Sequence, residues 1–266
     1  KMNIKPLTFL LSLTFLFLFS GSVYGEEPEV KKGYWKNGNL KNERHYENGE
    51  LELVTKWFES GGKEYEFHYE NGKKEGLATT WFESGGKMSE LHYKNGEREG
   101  LLTLWYETGE KESEAHLKND EPELITIWYK SGKKKEEQHY KNGVGEGLST
   151  YWYESGGKEY EGHNKNGKKE GLATFWFKSG EKKKEFHYKN GEGEGLATSW
   201  YKSGGKVVES HFKNGKKEGL ETVWYKSGKK KFVKHFKNGI ENGLRTEWSE
   251  DGKKTYEANF VDGNEE

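Results

Sequence analysis

Cysteine is absent from the 266 residues, which excludes disulfides and a lipoprotein cleavage site. Leu, Ile and Val are scarce for a chain of this length. Only 30% of residues are hydrophobic, and half of that share is aromatic, at 15% of the chain. Any basic block is missing as well: 44 Lys and Arg face 45 Asp and Glu, with the two signs mixed throughout. That pattern argues against nucleic-acid binding and against a polybasic membrane patch. The one long apolar run, Leu7 to Phe19, is shorter than the roughly 20 residues a membrane-spanning helix needs. Low hydrophobicity usually signals disorder, yet ten Trp and sixteen Tyr are the wrong residues for a disordered chain. What remains is an architecture that hides little surface per residue and depends on aromatic contacts.

The N-terminal segment has the order of a secretory signal. Lys1 and Lys5 precede the Leu/Phe-rich run, and Ser20 to Gly25 supply small residues after it. Val23 and Gly25 fit the −3 and −1 positions, predicting cleavage between Gly25 and Glu26, with Ser20 and Ser22 as a second option. Loss of Lys1 and Lys5 takes the formal charge from −1 to −3. The expectation is an exported chain, periplasmic or extracellular, with no stable membrane anchor after cleavage.

Periodicity dominates the rest. Trp recurs at Trp57, Trp81, Trp105, Trp128, Trp152, Trp176, Trp200, Trp224 and Trp248, in steps of 24 with one of 23. A His follows eight of them by eleven residues: His68, His92, His116, His139, His163, His187, His211 and His235. Asn259 takes that place in the last unit, and Tyr34, eleven residues before His45, takes the Trp place in the first, with Trp35 in the aromatic position after it. Each unit reads as two strands. Leu77-Ala78-Thr79-Thr80-Trp81-Phe82 is followed by a Ser-Gly turn, then Lys87 to Tyr93, then the Asn95-Gly96 turn. Asn-Gly between alternating aromatic segments is a strong hairpin signal, because both residues tolerate positive φ. The predicted fold is all-β: an elongated single-sheet meander or solenoid of about ten antiparallel β-hairpin repeats with period 24, preceded by a signal-peptide helix. The expected division is a signal peptide over 1–25, a short linker over 26–32, the repeat array over 33–263 and an acidic tail over 264–266.

Leu, Thr and Trp lie two residues apart in the first strand of each unit and so share one face. They are invariant, while the residues between them change. The expectation is a packed invariant face and a variable face turned to solvent or a partner. In the second strand Glu-x-His occupies one face and the aromatic after His the other. The favoured register sets those aromatics beside Trp, although a slip of one residue would exchange the faces. Two units, Asn48 to Trp57 and Asn119 to Trp128, are one residue short and lack the Gly before Leu. There Asp120 and Pro122 predict an irregularity near 119–123.

The stretch Tyr69 to Lys87, Tyr-Glu-Asn-Gly-Lys-Lys-Glu-Gly-Leu-Ala-Thr-Thr-Trp-Phe-Glu-Ser-Gly-Gly-Lys, and its counterpart from Phe212 to Lys229, resemble the MORN-repeat variant of bacterial proteins labelled as YwqK-type antitoxins. The resemblance implies twisted hairpin arrays and protein–protein contact, with no catalytic residues to carry over. An export signal fits an antitoxin only where the toxin acts outside the cytoplasm.

Nine His and nine Glu at fixed spacing raise the question of metal. Equivalent side chains lie two strands apart, about 9–10 Å, whereas zinc needs donors at about 2 Å. A repeated structural pair is the simpler expectation. The His residues in similar settings form a candidate pH-responsive face, expected to titrate together near the unperturbed value of about 6.5. No residue set stands out as an active site, since every candidate recurs in equivalent surroundings; neither enzymatic activity nor a cofactor is expected. Three readings stand: a protein-interaction scaffold using the variable face, an antitoxin or immunity protein binding a toxin, and a cell-wall or carbohydrate binder.

Overall fold

The computed structural model describes residues 27–266, and these residues form one long antiparallel sheet of twenty-three strands with no helix among them. Each strand pairs with its neighbours in sequence. A typical unit pairs Gly76–Trp81 with Lys87–Lys94, which then pairs with Glu97–Trp105. Two strands are interrupted by one residue, at Glu75 and at Asn242. Among the described residues no second layer covers the sheet, both faces stay close to solvent, and no side chain is completely enclosed. Stability must then come from contacts within and between adjacent hairpins.

Two kinds of turn alternate. The Asn-Gly turns use positive φ at both residues, 54° at Asn95 and 91° at Gly96, the geometry that matches strand twist. The Ser-Gly turns span five residues, closed by Phe82 N–H to Gly86 C=O at 2.9 Å and Gly85 N–H to Phe82 C=O at 2.9 Å. The turn after Trp224 has the same length, since Trp224 pairs with Lys230 as Trp81 pairs with Lys87.

Each Ser-Gly turn is followed by a bulge that overturns the favoured register. Trp81 faces Lys87, but Thr80 faces Ser89, so Met88 is an extra residue. From there Thr79 faces Glu90 and Leu77 faces His92. Glu-x-His therefore shares a face with Leu, Thr and Trp, and the second-strand aromatics lie on the opposite one. Without the extra residue the pairing would have followed the expectation; one inserted residue flips every side chain beyond it.

A second bulge precedes Leu. Tyr188 faces Gly193 and Phe186 faces Ala197, leaving Glu194, Gly195 and Leu196 against His187. Gly195 has φ of 78°, which explains the recurrent Gly. In the two short units the bulge has one extra residue: Leu51 faces Tyr46 and Leu53 faces His45, while Pro122 faces Leu117 and Leu124 faces His116. The irregularity expected near 119–123 is this shorter bulge. Asp120, standing where other turns have Gly, keeps φ at 67°, and its carboxylate accepts from Arg98 Nε at 2.7 Å.

Both ends of the array extend further than expected. Glu29–Tyr34 is a strand paired with Leu40–Glu47, so residues 29–32 are not linker. Val30 stands at the Leu position and continues the alternation. Asn264–Glu265 pairs back onto Lys254–Val261, so the acidic tail begins another hairpin across Asp262-Gly263. The expected signal peptide and its Gly25–Glu26 junction lie outside the described residues.

Candidate functional site

The invariant face is a ladder of identical contacts. All nine Thr of the Leu-x-Thr-x-Trp strands are buried, from Thr55 to Thr246. The Glu of Glu-x-His pairs with the Lys three residues before it, as Lys63–Glu66 at 2.6 Å, and Glu257, two residues before Asn259 in the last unit, does so with Lys254 at 2.6 Å; Val233 interrupts the series. That Lys also lies over the Trp of the next unit: Lys63 is 5.5 Å from the Trp81 ring centre, Lys111 5.0 Å from Trp128 and Lys206 5.6 Å from Trp224. Every Trp from Trp57 to Trp248 is half-buried. The aromatic after Trp reaches across to the next unit, where Tyr129 donates to the Trp152 carbonyl at 2.8 Å and Tyr225 to the Trp248 carbonyl at 2.8 Å. Trp35 does the same through Nε1 to Trp57 at 3.1 Å, which confirms its place in the repeat.

Another staple explains the Glu before Gly-Leu. Glu170 Oε2 accepts from the Asn190 backbone N–H at 2.8 Å, and Glu218 from Asn238 at 2.7 Å. Each links the entry of one unit to the Asn-Gly turn of the next.

The candidate pH-responsive residues sit on this invariant face. His68, His92, His116, His163, His187 and His211 are exposed, while His139 and His235 are half-buried. His187 and His235 contact the carbonyls of Leu196 and Leu244 at 3.2 and 2.8 Å. Beside them Leu77, Leu172 and Leu220 are themselves exposed, so the invariant face is not a sealed one. Among the described residues no group of three His, Asp or Glu stands close enough to hold a metal ion.

The variable face carries more packing than its changing residues suggested. Small side chains lie flat against the sheet beneath rings: Ala78, Ala173, Ala197, Ser149 and Ser210 are all buried. Rings meet edge-on or tilted, Phe186 with Tyr188 at 4.8 Å and with Phe212 at 4.9 Å, and Tyr65 with Phe67 at 4.9 Å. Lysines cap them, with Lys74 3.9 Å from the Phe67 ring and 4.8 Å from Tyr93. The large residues of one strand occupy space left by the small residues of the next, so this face varies by compensating exchange.

One part of the variable face departs from the rest. The position after His holds an aromatic or Leu in every unit except at Asn164, and the position before His holds glycine at Gly162 alone. The missing bulk leaves an open hollow of about 390 Å³ lined by Gln138, Ser149, Tyr151, Tyr160, Asn164, Lys169 and Phe175. Tyr160 lies down across Gly162, where a Cβ would come within 2.3 Å of its hydroxyl oxygen. The rings of Tyr151, Tyr160 and Phe175 form a row, with centres 5.4 and 4.9 Å apart. Beside them is a polar network. Asn164 Nδ2 donates to Ser149 Oγ at 2.9 Å, Tyr140 donates to Gln138 Oε1 at 2.8 Å, and Gln138 Nε2 reaches both Glu136 and the Tyr151 hydroxyl. Burial holds the Glu136 carboxyl above its ordinary range and raises the Tyr151 and Tyr160 hydroxyls. Sequence reasoning missed this hollow; the signal that could have found it is the loss of the ring at Asn164, taken with the register that the bulge sets.

Pairing, turns and period together define an antiparallel β-hairpin repeat protein. The profile described as MORN repeat variant matches residues 30–48, 74–95, 98–119, 124–142, 169–190, 217–238 and 241–262, more than half of the chain, and the chain belongs to that family. The hollow's central residues, 149–164, fall between two of these matches. No curated protein matches the chain. Among solved structures it is similar to the crystal structures of TcdB2-TccC3-Cdc42 and TcdB2-TccC3, each at 9% identity over 88% of this chain, with TM-scores of 0.20 and 0.15. The chain spans 17% and 18% of those chains' lengths, and likeness at that level carries no argument about this one.

Proposed function

We propose that this MORN-type repeat protein is an exported, non-enzymatic scaffold that binds a protein partner along its variable face. The observation that supports this reading most is the contrast between the faces. One repeats the same Thr, Trp, Lys and Glu contacts in most units; the other changes its rings and small residues from unit to unit. Partner choice needs a surface that differs from place to place, and half-exposed Tyr and Phe rings are residues enriched at interfaces. A standard interface covers about 800 Å² per partner, and a sheet of this length offers that without a second layer. Export rests on the basic and apolar order of residues 1–25. Neutralising a toxin, suggested by the resemblance to YwqK-type antitoxins, is the same binding act with one particular partner, and a toxin gene beside the coding sequence is the observation that would favour it.

The test compares the two faces. Immobilised chain is offered to an extract of the source cells, and the stoichiometric protein it retains is quantified for two double variants. Lys74→Glu with Lys184→Glu alters lysines that lie over Phe67 and Phe186 on the variable face. Leu77→Ser with Leu196→Ser alters exposed leucines of the invariant face. The scaffold reading expects retention to fall at least about tenfold, the equivalent of 1.4 kcal/mol, in the first pair and to persist in the second. The opposite result places the partner on the invariant face.

A further inference from the structure

We propose that the hollow around Asn164 is a saccharide-binding subsite, taking one pyranose ring of a glycan. A pyranose has a face of C–H groups and a rim of hydroxyls that both donate and accept. The hollow supplies a partner for each. The row of Tyr151, Tyr160 and Phe175 offers ring surface to the C–H face, and Asn164, Tyr160, Tyr151 and Lys169 stand at its edge.

The polar groups there are arranged to be used. Tyr160 is 8% exposed as a residue and lines the hollow; its hydroxyl forms no side-chain hydrogen bond among the described residues and is not enclosed, so it is free to meet a ligand hydroxyl. Asn164 commits one N–H to Ser149, leaving a carbonyl oxygen and an N–H free, the donor–acceptor pair that suits adjacent hydroxyls. The Tyr151 hydroxyl accepts from Gln138 and so retains its own hydrogen for donation. Gln138, fixed by Tyr140 and Glu136, holds Tyr151 in place.

Other ligands fit less well. A quaternary ammonium would need the ring faces as a cation cage, but Lys169 already lies 5.4 Å from the Tyr160 ring centre and 5.2 Å from Tyr188 and would repel it. An inorganic anion would find one lysine and, hydrogen-bonded to Gln138 of the lining, the Glu136 carboxyl. The volume, about 390 Å³, is at the small end of ligand pockets, which start at about 300 Å³, and suits a ring rather than a folded partner. The subsite does not depend on the scaffold reading, since its ligand is a glycan and its residues lie in two adjacent units.

The test is calorimetric titration of the exported chain with cellotetraose and with the tetramer of N-acetylglucosamine, with choline chloride as the cationic control. One of the two glycans should bind with Kd of about 1 mM or tighter. Tyr160→Phe, which keeps the ring, should weaken it about fivefold, the usual range for one hydrogen bond. Asn164→Tyr, which restores the ring found at this place in most units, should abolish binding. Phe236→Ala, three units further on, should leave it unchanged. An unaltered β spectrum in circular dichroism separates loss of the site from loss of the fold; if Asn164→Tyr disturbs it, Tyr160→Phe decides. Choline bound in preference to both glycans, no glycan bound by the unmodified chain, or glycan affinity unaffected by Tyr160→Phe would each overturn the proposal.

Discussion

The two faces of this sheet solve one problem, the lack of a central core, in different ways. On the invariant face the units from Trp57 onward share one set of contacts: a buried Thr in each, a Lys–Glu pair in all but the one holding Val233, and in most of them that Lys over the next Trp. On the variable face fewer contacts recur, Lys74 over Tyr93 and Lys169 over Tyr188 among them, and Ala173 or Ser149 at one strand is matched by Phe186 or Tyr160 on another. Repetition secures the register of neighbour on neighbour. Variation, once register is secured elsewhere, becomes free to carry recognition. The hollow around Asn164 belongs to the second face because only there can bulk be removed without breaking the ladder.

Substituting rings on each face sharpens this comparison most. Trp81→Ala, Trp152→Ala and Trp224→Ala should each cost about 2–3 kcal/mol, below the 3–5 expected for fully buried rings because these are half-buried, and should agree closely with one another. Phe186→Ala, whose ring meets Tyr188 and Phe212, should cost about 2 kcal/mol, and Phe236→Ala, capped by Lys217 without such neighbours, about half that. Urea unfolding measures all five. A spread among the Trp variants as wide as that between the Phe variants breaks the distinction.

Smaller effects come from the staples. Glu170→Gln removes the charge from the hydrogen bond to Asn190 and should cost about 1 kcal/mol, read as faster amide exchange confined to the adjoining hairpins. Smallest is the pH response of the hollow. Burial raises the Glu136 carboxyl above its ordinary value of 4.5, so the folded chain holds that proton more tightly than the unfolded one. The charge weakens the fold only as pH rises above 4.5 and fully once the folded value is passed. Glu136→Gln should therefore stabilise the chain in thermal melts near neutral pH and have no effect at pH well below that value.

Much of the fold was legible because repetition within one chain marks which residues the architecture fixes. The 24-residue step from Trp57, the Asn-Gly turns and the place of Trp35 could all be read directly. The side-chain faces could not, because the extra residue at Met88 and its counterparts is set by the geometry of a five-residue turn, and a single insertion inverts the pattern. Burial of the variable face was hidden for the same reason: Ala and Ser look like surface residues until rings are known to lie over them. At the candidate site Asn164 and Gly162 were visible as departures, while the way Tyr160 reclines over Gly162 depends on coordinates. The ends of the array, Glu29–Tyr34 and Asn264–Glu265, lacked the Trp that marked the other units.

Deletion of residues 201–224 tests the central claim, that neighbouring hairpins hold one another without a shared core. The cut joins Trp200 to Tyr225 in place of Tyr201 and sets Phe236 where Phe212 met Phe186. A chain built this way loses one unit's share of β circular dichroism and keeps cooperative unfolding, with stability lowered by about one unit and one interface. Loss of the whole β signal on removing that unit would contradict it.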